Sequence, residues 1–81
     1  MLGERPAVVL EVTPWNVHGV GHVDVTVVYP DRRIDSARLG RESVPEDLQV
    51  GDHVVVDLAM NTIIAVRRAR APNGDAASEP G

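Results

Sequence analysis

Two of the three histidines, His18 and His22, stand four residues apart in the segment PWNVHGVGH, residues 14 to 22. On a helix that spacing puts two imidazoles on one face, where they can hold a divalent metal. Here Gly19 and Gly21 interrupt the segment, and the residues from Val23 onward alternate as a strand. Positions four apart on a strand share a face but lie ~13 Å apart, at about 3.3 Å per residue. That is too far for one ion, and a third ligand would have to come from Asp24 or His53. The pattern predicts no metal site and no cofactor. His18 and His22 are expected as solvent-facing groups that can make binding pH-sensitive near pH ~6.5. Gly19-x-Gly21 lacks the third glycine, the helix and the lysine of a phosphate loop.

Other catalytic patterns are missing. The chain has no Cys, so it offers no thiolate ligand, no Cys nucleophile and no disulfide. Ser36, Ser43 and Ser78 have no nucleophile context. Glu46 and Asp47 read as carboxylates at a helix start. Binding chemistry is better represented. Trp15, the one Trp, either plugs the end of a thin core or anchors a partner from a loop, with Asn16 beside it. The basic residues are all arginines, eight of them, in a chain of net charge −4. Arg32, Arg33, Arg38 and Arg41 form one group, and Arg67, Arg68 and Arg70 another. On one face they would make a basic stripe; paired with neighbouring Asp they are an ordinary solvated surface. A single-strand binder also needs aromatic platforms, and Trp15 and Tyr29 are the only aromatics.

Short strands must carry these groups. Ala7 to Thr13 alternates, with Val8, Leu10 and Val12 on one face, and Pro14 is expected to end it. His22 to Tyr29 puts Val23, Val25, Val27 and Tyr29 on one face. Tyr29-Pro30-Asp31-Arg32 reads as a turn that places Arg32 at positive φ. Arg33 to Leu39, His53 to Leu58 and Thr62 to Arg68 complete five strands. Ser43 and Glu46 have capping-box spacing, so one helical turn is expected at Pro45 to Leu48. Ala59-Met60-Asn61 is a short hairpin loop, with Asn61 in the left-handed position. Residues 72–81 are small and polar and read as a disordered tail, leaving residues 1–71 as the single domain. No apolar run approaches the ~20 residues of a spanning helix, and the N-terminus has no signal-peptide pattern. A cytoplasmic location without membrane association is expected.

Five strands with no long helix predict an all-β fold, a small five-stranded closed β-barrel that removes its own edges. The stretch LQVGDHVVVDLAMNTIIAVRR, residues 48 to 68, resembles the last hairpin of OB-fold domains of the translation initiation factor kind. The resemblance covers about a quarter of the chain and implies an OB-like barrel, with an SH3-like barrel as the alternative. No functional residue is carried over from it. The expected role is a non-catalytic binding or assembly module acting on a protein partner or on a second copy of itself. The alternative is an OB-fold binder of RNA or single-stranded DNA. Trp15, Asn16, His18, His22, Arg32 and Arg33 are the expected contact residues, because loops on a rigid barrel carry function.

Overall fold

A computed structural model describes residues 2–69. Five antiparallel strands form one sheet: β1 (Leu2–Val17), β2 (Val20–Val28), β3 (Ile34–Gly40), β4 (His53–Ala59) and β5 (Thr62–Arg68). The order across the sheet is β3-β2-β1-β4-β5. Three hairpin-connected strands with the fourth returning beside the first make a Greek key. No helix among the described residues is long and apolar enough to cross a membrane.

Strand β1 runs well past Pro14, against expectation. It changes partner along its length: Leu2 to Val8 pair with β4, and Val8 to Val17 pair with β2. Each half therefore has one unpaired side, and a proline is tolerated where no ladder bond is asked of its nitrogen. Pro6 lies in the first half and Pro14 in the second. The register shifts between Val9 and Glu11. This bulge at Leu10 reverses the expected faces. Val9 is fully buried and Leu10 is exposed, while Val12 beyond the bulge packs on the core again. The bulge is tied down from outside the sheet: Val9 N–H donates to the Asp52 carbonyl at 3.0 Å and Gly51 N–H to the Val9 carbonyl at 2.8 Å.

The core is built from alternate residues of the strands. Val25, Val27, Val54 and Val56 join Val9 as its most enclosed side chains, with Tyr29, Leu39, Ile63 and Val66 around them. Burying a valine of this kind contributes about 1.5–3 kcal/mol. The β1–β2 and β4–β5 connections are two-residue turns with both φ values positive: His18 and Gly19 at 51° and 81°, Met60 and Asn61 at 52° and 68°. These twists match the right-handed twist of the flanking strands. The turn after β2 holds Arg32 at φ 72°. Its N–H donates to the Tyr29 carbonyl at 2.8 Å.

Two further expectations are corrected. The helical turn is a 3-10 turn at Arg41–Ser43, not at Pro45 to Leu48, and Ser43 ends it rather than capping it. Asp47, at φ 60°, bends the chain just where a helix would have continued. The sheet is also not closed: β3 and β5 approach each other, yet share no hydrogen-bonded ladder. The expected tail, residues 72–81, lies outside the described residues.

Candidate functional site

The segment around Trp15, expected as a loop, is the end of a hairpin. Trp15 pairs with His22 across β1 and β2, and Asn16 with Gly21. The bulge at Leu10 sets Trp15 on the outer face, opposite the core. His22 and Asp24 of β2 and Arg38 of β3 share that face, since Asp24 pairs with Thr13 and with Arg38. Trp15 is not a core plug; it is half-buried on that outer face. The Arg38 guanidinium lies 3.8 Å from its ring centroid. The His22 ring is tilted against it, with centroids 6.0 Å apart. Arg38 also donates from Nε to Asp24 Oδ1 at 2.9 Å. This pairing holds the Asp24 carboxyl below its usual range. Trp15 Nε1 is enclosed without an acceptor in hydrogen-bond geometry. His22 Nδ1 lies 3.2 Å from the Val20 carbonyl. His18 sits exposed in the turn.

Arg32 and Arg33 are not brought to this cluster. They leave the far end of β2, whose nine residues span about 30 Å. There Asp31 organises the turn: the Arg33 backbone N–H donates to its Oδ1 at 3.1 Å, and Arg5 reaches its Oδ2 at 3.4 Å. Those contacts, the backbone one first, lower the Asp31 carboxyl. Arg5 also lies 4.4 Å over the Tyr29 ring. Tyr29 O–H donates to Asp35 Oδ2 at 3.1 Å. Burial, with the Asp35 carboxylate behind it, pushes the phenol up to about 12.

Among the described residues, which exclude Arg70, the basic stripe is not assembled. Arg67 pairs with Asp57 at 2.8 Å and Glu4 at 3.0 Å, and Arg68 with Asp52 at 2.9 Å. Together with Arg5 and Arg38, four of the arginines are thus neutralised where they stand. The Asp57 and Asp52 carboxyls are lowered, the first by Arg67 and the second by the Gln49 backbone N–H and then Arg68.

Two surfaces went unnoticed in the sequence. One is an apolar tip where the start of β1 meets the β4–β5 hairpin. Leu2 and Met60 are 77% and 81% exposed there, and Ile64 is 44% exposed. Leu2 and Ile64 line one shallow groove with Leu58 and Ala65. The other is a cleft beneath the β3–β4 connection, where Arg41 lies across Gly21. Gly21 is strand backbone left bare for the Arg41 stem. The bulge and the two-residue hairpin turn put these residues where they are, and neither leaves a signal as plain as alternation.

No protein-family model matches the chain, and neither a curated protein nor a solved structure matches it.

Proposed function

We propose that the protein is a non-catalytic binding or assembly module that acts through protein–protein contacts, on a partly open Greek-key barrel of the OB-like kind. The gap between β3 and β5 and the central position of β1 support that architecture. The observation that carries the function is the tip formed by Leu2, Met60 and Ile64. Three large apolar side chains left in water at one end of a small domain mark a contact surface. Binding of RNA or single-stranded DNA, the second reading, needs free cations along a groove and stacking platforms. Arg38, Arg67 and Arg68 are paired with carboxylates, and Trp15 is already covered by Arg38.

The discriminating experiment has two arms. Sedimentation velocity over a concentration series compares the natural chain with Met60→Ser/Ile64→Ser. Anisotropy of a fluorescent single-stranded oligonucleotide at low salt measures the alternative. Concentration-dependent association lost in the double variant, with oligonucleotide binding weaker than ~100 μM, supports protein contact. A micromolar complex whose affinity falls steeply with salt overturns it.

A further inference from the structure

The sheet is least finished at the end where β1 passes Val12 and Pro14. No helix covers that end among the described residues. The stretch after the 3-10 turn crosses it instead, and Val44 and Leu48 pack down onto it. Between them remains a cleft of about 450 Å³, within the size range of ligand sites. Its floor is apolar: Val12, Pro14, Val23, Val44 and Leu48. Its rim carries one cation, Arg41, and two carboxylates, Glu46 and Asp47.

Arg41 is exposed and passes over the bare backbone of Gly21. Its stem runs over Gly21 so closely that a Cβ there would collide with Arg41 Cδ. Among the described residues it makes no ion pair, unlike Arg5, Arg38, Arg67 and Arg68. A guanidinium at the rim of an apolar floor suits a carboxylate carried on an apolar group, which it can grip with two parallel N–H bonds. Exposed Glu46 and Asp47 favour a cation further along the same ligand. The end of a polypeptide supplies all three groups in order.

We infer that the cleft receives the C-terminus of a partner polypeptide. The free α-carboxylate meets Arg41, an apolar last side chain lies on the Val12–Val23 floor, and a basic residue just upstream faces Glu46 and Asp47. Capture of a terminal carboxylate is a recurring mode of peptide recognition. The inference rests on the protein-binding reading above, but it uses a different surface from the Leu2–Met60 tip.

The test titrates the isotopically labelled full chain, observed by amide NMR, with the N-acetylated hexapeptide Ala-Ala-Lys-Lys-Ala-Leu. The peptide is used as the free acid and as the C-terminal amide, with free leucine as a third probe. The free acid is expected to shift the amides of Val12, Val23, Val44 and Leu48 and to bind at least tenfold more tightly than the amide or leucine. Arg41→Gln, an exposed position, is expected to bring the free acid down to the affinity of the amide and to leave the amide unchanged. Equal binding of acid and amide, shifts confined to other surfaces, or no binding overturns the inference. Leucine binding as tightly as the peptide overturns the polypeptide source. If the cleft fails while association through Met60 and Ile64 persists, only this inference falls.

Discussion

Replacing Trp15 by Ala removes a ring that is half-buried on the outer face of the sheet. A large aromatic lost from a packed core costs about 3–5 kcal/mol. Trp15 is not in that position. Its losses are a guanidinium contact, worth about 0.5–1 kcal/mol when exposed, and a cross-strand pair with His22 worth about 0.2–1 kcal/mol. Partial burial of the ring adds a little more, so about 1–2 kcal/mol is expected. Urea unfolding followed by far-ultraviolet circular dichroism measures it, since the variant has no Trp to fluoresce. With a slope of about 1–3 kcal/mol per molar, the midpoint should fall by roughly 1 M at an unchanged slope. Trp15→Phe keeps a ring under Arg38 and removes the enclosed Nε1–H that has no acceptor, so it should stay within about 0.5 kcal/mol of the natural chain. A double-mutant cycle of Trp15→Ala with Arg38→Ala should give a coupling of about 0.5–1 kcal/mol. A loss above 3 kcal/mol would make Trp15 a core residue, and zero coupling would remove the Arg38 contact.

Three other outcomes can be checked on the same protein. Tyr29 is the one tyrosine, so absorbance titration reads it alone; ionisation near pH 12 is expected, and a midpoint near pH 10 would contradict its burial against Asp35. Because its folded value lies above the ordinary 10.0, its stabilisation is complete below pH 10 and is lost between pH 10 and about 12. The carboxyls of Asp24, Asp31, Asp52 and Asp57 are all lowered from 3.8. Their stabilisation is present above that value and lost as pH falls through the lower folded values, so the melting temperature should drop in strong acid; a flat profile from pH 5 to 2 would refute the ion pairs. Arg32→Gly relieves a left-handed backbone at φ 72° and should raise stability by about 1 kcal/mol; a loss in urea unfolding would show that the arginine side chain matters more than the strain.

Alternation made β2 to β5 legible, because Val23, Val25 and Val27 or Val54 and Val56 repeat with the period of the pleat. Tyr29-Pro30-Asp31-Arg32 was legible for the same kind of local reason, and φ at Arg32 is positive as the turn chemistry requires. Strand β1 was misread from two local signals. Pro14 breaks a strand only if its nitrogen is needed, and the partner change of β1 removes that need. The bulge at Leu10 inverts a face without altering composition. How the site residues are arranged was not legible for a longer-range reason. Arg38 meets Trp15 through the registers of β1 with β2 and β2 with β3, which no short window of sequence contains. Arg41 reached its position through the bare backbone of Gly21, and a glycine in a strand serves equally at a bulge, a bend or a close approach.

The partner change in β1 also orders events during folding. The half from Val8 to Val17 has β2 directly after it in the chain and can form a hairpin as soon as both exist. The half from Leu2 to Ala7 must wait for β4, made much later, before Leu2 meets Ala59. Closing so long a loop precedes any gain from the pairing, which places a sheet of this topology among domains that fold in about milliseconds to seconds. During that wait the start of β1 is an unpaired strand edge beside an exposed Leu2, open to the wrong neighbour. Misassociation through this edge is therefore expected to rise with the concentration of newly made chain.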